Sequence, residues 1–199
     1  MTPELAAWLD TLHTEGATFD ASQSDRLLKR RNLEPPTAAL LSQIVRVVGA
    51  REVVEIGTSN GYSTIWLADA VADTGGRVVS VEMGPIDDAQ RNIGRADAIH
   101  PGLARRAEVR RADGGAYLAA LADDSIAVLF LDAERVEYPR WWPHPARVVR
   151  PGGVLAIDNV LSHPDEVAPF FELLAGEPSF VGTTVAVGKG LHLAWRRGR

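Results

Sequence analysis

Val53-Val54-Glu55-Ile56-Gly57-Thr58-Ser59-Asn60-Gly61-Tyr62-Ser63-Thr64 is the stretch on which the fold turns. It reads as a short apolar strand, a turn bounded by glycines, and the first turn of a helix. A strand that feeds a helix through such a turn builds a nucleotide-type cleft at its carboxyl end. Glycine lets the backbone approach a ligand closely, and the free N–H groups of the following helix favour an anion. A dinucleotide loop needs three glycines spaced GxGxxG, whereas Gly57 and Gly61 are separated by three residues and preceded by Glu55. The loop therefore argues against hydride transfer from a nicotinamide.

Working outward, apolar runs alternate with helical stretches at Val53–Ile56, Val78–Val81, Ala107–Arg110, Ala127–Leu131 and Val154–Ile157. This predicts a mainly parallel sheet with helices on both faces. Ser179–Ala186 and Leu191–Trp195 are joined only by Val187-Gly188-Lys189-Gly190, too short for a crossover helix, so they form an antiparallel hairpin. Toward the amino terminus, Thr2 caps a helix that starts at Pro3 and carries Leu5, Trp8, Leu9 and Leu12 on one face. A polar helix is expected around Ser22–Arg31, ending before Pro35-Pro36. A third, with Leu40, Leu41, Ile44, Val45 and Val48 as its apolar face, ends at Gly49. The fold class is α/β: a Rossmann-like, seven-stranded sheet with a C-terminal antiparallel hairpin and extra N-terminal helices, an arrangement that resembles the sheet seen in class I methyltransferases.

The 199 residues, 46% hydrophobic, fit one domain: residues 1–50 as helices covering the active site, 51–199 as the donor-binding and catalytic core. With no cysteine there is neither a disulfide framework nor a thiolate metal site, so any metal is held by oxygen or imidazole. No apolar run approaches the roughly 18 residues of a membrane span, and the start lacks the pattern of a signal peptide, which predicts a cytoplasmic protein without a membrane partner. Net charge is −5. Lys29-Arg30-Arg31 and Arg196-Arg197-Gly198-Arg199 are expected to be solvated faces, not a nucleic-acid surface. The amphipathic first helix offers a surface that a homodimer could share.

The second strand ends in Glu82, 25 residues after Gly57, where a carboxylate can accept hydrogen bonds from both hydroxyls of a ribose. The N–H groups of the helix start suit the carboxylate of a methionine moiety. Leu131-Asp132 and Ile157-Asp158-Asn159 end what should be neighbouring strands, about 4.8 Å apart. Two carboxylates that close repel unless protonated or bridged, and two Asp plus an Asn carbonyl form a hard, oxygen-only set suited to Mg²⁺ or Ca²⁺. Both Asp158 and Asn159 reach one ion only if the chain leaves the strand there. Without an ion, Asp132 would orient the donor while Asp158-Asn159 cap the following loop.

Glu55–Thr64 (EIGTSNGYST), Val78–Glu82 (VVSVE), Leu129–Trp142 (LFLDAERVEYPRWW) and Gly152–Val160 (GGVLAIDNV) resemble the catechol and caffeoyl-CoA O-methyltransferase family, over roughly Leu40 to Trp195. The resemblance implies S-adenosylmethionine as donor, contacted by Glu55, Gly57, Ser59 and Ser63 beside the turn glycine Gly61. It implies ribose binding by Glu82, adenine contacts near Asp113 and Gly114, and metal ligation by Asp132, Asp158 and Asn159. The chemistry implied is an in-line methyl transfer to one of two vicinal oxygens of a small-molecule acceptor, aligned by the metal.

One position departs from that pattern. The lysine base expected three residues after Asp132 is Arg135, and arginine is not deprotonated in proteins. Arg135 is left to stabilise a phenolate or an acidic acceptor, and deprotonation falls to the metal, to water or to a nearby histidine, of which His163, with an unperturbed pKa of about 6.5, is the best substitute base. His144 and His192 read as structural, and Trp141-Trp142 as core anchors. A metal-independent methyltransferase on the same fold and a non-catalytic S-adenosylmethionine-binding protein remain as alternatives.

Overall fold

The computed structural model describes residues 1–25 and 28–198. Its strands are β1 (Glu52–Ile56), β2 (Arg77–Glu82), β3 (Ala107–Arg111), β4 (Ile126–Leu131), β5 (Val149–Ile157), β6 (Phe180–Val185) and β7 (Leu191–Arg196). They form one sheet in the order β3-β2-β1-β4-β5-β7-β6. β1 pairs in parallel with β2 and β4, and β4 with β5, whereas β7 runs antiparallel to β5 and β6 as the hairpin pattern predicts. The order reverses between β1 and β4, so a crevice opens at the carboxyl ends of these strands.

β4, Ile-Ala-Val-Leu-Phe-Leu, is buried at every position, as a central strand covered on both faces must be. Alternate side chains feed two cores. Val53, Val128 and Phe130 join Leu5, Leu9, Leu41, Val45 and Ile65, while Val54, Leu129 and Leu131 join Leu118, Tyr138 and Phe170. The first group belongs to α1 (Pro3–Ser22), α2 (Pro35–Val47) and α3 (Tyr62–Ala72), which share a face with α4 (Asp87–Ile99). The second belongs to the face of α5 (Gly114–Ala120), α6 (His144–Val148) and α7 (Pro164–Ala175). No helix among the described residues is long and apolar enough to cross a membrane.

In the amino-terminal region Thr2 caps α1 as predicted, accepting Leu5 N–H at 3.3 Å, and the helix continues to Ser22, the residue from which the next, polar helix was expected. Arg26 and Leu27 of that expected helix lie outside the described residues. Around them Gln23 is extended and the Asp20 carboxylate accepts the N–H groups of Arg30 (2.6 Å) and Arg31 (2.8 Å), binding the returning chain to α1 in place of helical carbonyls. The next helix, α2, starts on Pro35-Pro36 themselves, where missing N–H groups cost nothing. Its fully buried stripe runs through Ala38, Leu41 and Val45, with Leu40, Ile44 and Val48 half-buried.

Leu5, Leu9 and Leu12 are at most 1% exposed, so this stripe of α1 packs inside the core of the same chain. In the basic clusters Arg31 and Arg197 are exposed as expected, whereas Lys29, Arg30 and Arg196 are half-buried, and Arg199 lies outside the described residues. Arg30 pairs with Asp88 and lies over the Phe19 ring, Arg31 pairs with Glu134, and Arg196 joins Asp124 to the carbonyls of Ala146, Arg147 and Val149.

Candidate active site

Glu55 is fully buried on β1. Its Oε2 accepts hydrogen bonds from Thr64 and Ser80 hydroxyls, both at 2.5 Å, and Thr58 Oγ1 lies 2.6 Å from Ser80 Oγ. Burial pushes its carboxyl up, while the hydroxyls of Ser63, Ser80 and Thr64 pull it back. Gly57 follows with φ +105°, and a Cβ there would stand 2.3 Å from the Asp132 carbonyl. Only glycine lets the exit of β1 lie this close to the exit of β4. Gly61, also at positive φ, then opens α3.

Across the turn, Glu82 accepts the N–H groups of Thr58 (3.1 Å), Ser59 (3.0 Å) and Gly84 (2.9 Å), so its carboxylate is fixed over the glycine loop. Ser59 Oγ donates to the Arg30 carbonyl at 2.7 Å, tying the loop to the amino-terminal segment. Asp113 caps α5 by accepting Ala116 N–H at 2.7 Å. A Cβ on Gly114 would be 2.5 Å from Ile56 Cγ2 and 3.3 Å from the Trp141 ring, so Gly114 makes room for both. The structure thus brings Glu55, Gly57, Ser59, Gly61, Ser63 and Glu82 to one turn, with Asp113 and Gly114 at the end of the neighbouring β3.

On the other side, Leu131 registers with Ile157, so Asp132 and Asp158 leave adjacent strands side by side. Asn159 leaves the ladder with φ +65°, the exit that a shared site requires, and its Nδ2 donates to Asp132 Oδ1 at 3.1 Å. Loss of hydration, reinforced by the charges of Asp158 and Glu55, holds the Asp132 carboxyl well above its ordinary range, against the pull of Arg31 and Lys189. Asp158 is 2% exposed, and burial pushes it up to about 7. The Asn159 N–H, Lys189 and Arg135 act against this shift, and Glu34 adds to it. Asp158 Oδ1 has no hydrogen-bond partner among the described residues. Those residues hold no group of three or more His, Asp or Glu able to bind a metal, so the oxygen set is two carboxylates and one amide.

Arg135 is 3% exposed, with Nη2 and Nε at 2.7 and 2.9 Å from Glu166 Oε2 on α7. Its guanidinium is thus engaged by a carboxylate that the sequence did not single out. His163 precedes α7, with Nδ1 2.8 Å from Ser162 Oγ and its N–H on the Asn159 carbonyl. Trp141 and Trp142 pack against Tyr138 and Phe170 as expected of core anchors. His144 Nδ1 accepts from Arg147, and His192 stacks on Phe171.

Several residues escaped the sequence. The Tyr138 hydroxyl accepts Ala133 N–H (2.9 Å) and donates to its carbonyl (3.0 Å), pinning the turn after Asp132. Arg31–Glu134 and Lys189–Glu34 join segments far apart in the chain, and no local pattern announces such pairs. Thr64 and Ser80 had one available signal, hydroxyl residues on elements flanking a buried glutamate.

The O-methyltransferase family model matches residues 19–172. The chain belongs to the O-methyltransferase family. A catechol O-methyltransferase of Mycobacterium tuberculosis is 31% identical over 80% of this chain and 72% of that protein. One of Niastella koreensis is 30% identical over 65% of this chain. The chain spans less than two thirds of the length of the first curated relatives it matches, 58% of the Niastella protein. Among solved structures, an O-methyltransferase from Bacillus cereus in complex with SAH superposes with a TM-score of 0.79 at 29% identity, covering 96% of this chain and 91% of that one.

Proposed function

We propose that this chain transfers the methyl group of S-adenosylmethionine to a hydroxyl of a small catechol-like or other phenolic acceptor, assisted by Mg²⁺ or Ca²⁺ at Asp132, Asp158 and Asn159. The observation that carries the reading is the adjacent carboxylate pair, Asp158 buried with its Oδ1 unpartnered and Asp132 half-buried, placed beside the Gly57–Gly61 turn. A like-charged pair that has lost its water is relieved by a proton or a cation, and hard oxygens suit these two ions. When bound, the ion stabilises charge on two vicinal acceptor oxygens and favours the deprotonated one.

The chain's own residues divide the remaining work. Glu82, already fixed by backbone N–H groups, accepts the ribose hydroxyls. The Gly57–Ser63 backbone receives the donor's carboxylate, and Asp113, Gly114 and the Trp141 ring border its adenine. Glu55 shapes the turn through Thr64 and Ser80. Arg135, held by Glu166, supplies fixed positive charge toward Asp132 and Asp158 and takes no proton. His163 receives the acceptor's proton. Residues 1–50 roof the site, and the chain acts as one unit.

One observation favours a second reading. Asn159 turns its amide nitrogen, not its oxygen, toward Asp132, an arrangement that a protonated or donor-orienting Asp132 satisfies without metal. Calorimetric titration of S-adenosylmethionine into chelator-treated protein, then of 3,4-dihydroxybenzoate with and without Mg²⁺, separates the two. Donor binding without metal and acceptor binding only with it supports metal assistance. Turnover that survives chelation supports the metal-independent reading, donor binding without any turnover leaves a binding protein, and failure to bind the donor removes the proposal.

A further inference from the structure

A cavity of about 360 Å³ lies between α1, the chain leading into α2 and the β6–β7 turn, lined by His13, Ala17, Asp20, Lys29, Arg31, Asn32, Glu34 and Lys189. Two residues of its lining relate it to the site. His13 packs on Tyr62 at 5.5 Å between ring centroids, next to Gly61, while Lys189 bears on both Asp132 and Asp158. Lys189 also anchors the loop after Asn159, its carbonyl accepting the N–H groups of Leu161 and Ser162.

Most charges lining this cavity are already committed. Arg31 is paired with Glu134 and Lys189 with Glu34, each at 2.7 Å, and both oxygens of Asp20 hold backbone N–H groups. Lys29 differs. It is half-buried, and among the described residues its ammonium has neither an ion-pair nor a hydrogen-bond partner. A cation drawn partly out of water without a counter-ion is the group that gains most from an incoming anion. Two buried acceptors on the same lining, Asn32 Oδ1 and Glu34 Oε2, also lack partners and can receive a hydroxyl or amino hydrogen.

We infer that this cavity is the acceptor pocket, and that the acceptor is a single aromatic ring carrying a carboxylate, which pairs with Lys29 while the hydroxyls face Asp132 and Asp158. The inference rests on the methyl-transfer reading for the word acceptor, but the anion site stands on the cavity and on Lys29. The volume is at the lower end for small-molecule sites, which suits one ring and excludes a long thioester carrier.

The test compares 3,4-dihydroxybenzoate with 3,4-dihydroxybenzamide, equal in shape and differing in charge, by turnover and by calorimetry in the presence of S-adenosylhomocysteine and Mg²⁺. In the wild type the acid should exceed the amide in kcat/KM and in affinity by about tenfold, the worth of one charge-assisted hydrogen bond. Lys29→Met should bring that ratio to within about twofold of one, and Lys29→Arg should keep it. A merely structural lysine would shift both ligands together and leave the ratio alone. Equal use of acid and amide by the wild type, or an unchanged ratio in Lys29→Met, overturns the anion pocket while leaving methyl transfer intact. Lys29-dependent binding of the acid without turnover sinks methyl transfer and keeps the pocket. Absence of both binding and turnover removes both.

Discussion

The two halves of the crevice handle buried carboxylates in opposite ways. On the donor side, Glu55 is surrounded by hydroxyls and Glu82 by three backbone N–H groups, so each charge meets donors from nearby elements. On the other side, Asp132 and Asp158 leave adjacent strands side by side, with the Asn159 amide on Asp132 and Asp158 Oδ1 unpartnered among the described residues. The first arrangement meets its charges with hydroxyl and backbone N–H donors, although Glu55 Oε1, like Asp158 Oδ1, has no partner among the described residues. The second carries electrostatic strain that only a proton, a cation or a ligand relieves, as functional sites commonly do.

The seam between the halves should give the largest effect. Gly57→Ala places a methyl group against the Asp132 carbonyl at a strained φ, and we expect about 4 kcal/mol of lost stability, a fall in Tm on the order of 10 °C. A loss under 1 kcal/mol in denaturant titration would show that the two exits are not so tightly joined.

Asp158→Asn should act in the opposite direction. A folded-state carboxyl raised to about 7 binds protons that the unfolded chain releases near 3.8, so the wild type loses stability as pH rises between those values. The variant lacks this slope. It should gain about 4 kcal/mol over the wild type at pH 8 and little at pH 4, as read from paired thermal melts. Mg²⁺ at pH 8 should raise the wild-type Tm and leave the variant's unchanged.

Ser80→Ala tests the hydroxyl-lined half. Removing one hydroxyl from buried Glu55 should cost about 2 kcal/mol, measured by urea unfolding, and no cation should restore it. At the small end, Lys189→Met breaks a partly exposed pair with Glu34 and should cost at most about 1 kcal/mol. A larger loss there would mean that Lys189 carries much of the counter-charge for Asp132 and Asp158.

The donor half was legible because it is local: strand, glycine turn, helix and a strand-end glutamate lie within thirty residues, from Val53 to Glu82. The ends of β4 and β5 were legible for the same reason, since apolar runs stop at Asp132 and Asp158. The hold of Asp20 on Arg30 and Arg31 was not legible, because periodicity does not show which side chain takes a returning backbone. Arg135 was visible as an anomaly, but its partner Glu166, 31 positions away on another helix, was not.

Apolar periodicity and turn chemistry by themselves determined the sheet, its closing hairpin and the residues at the strand ends, because these depend on spacings of a few residues. Only the tertiary structure decided which charges are paired and which are left waiting: Arg31 with Glu134, Lys189 with Glu34, Arg135 with Glu166, and Lys29 with none among the described residues. Ion pairing and hydration depend on distances between remote segments and on the water removed when they meet, and neither quantity is written in local order along the chain.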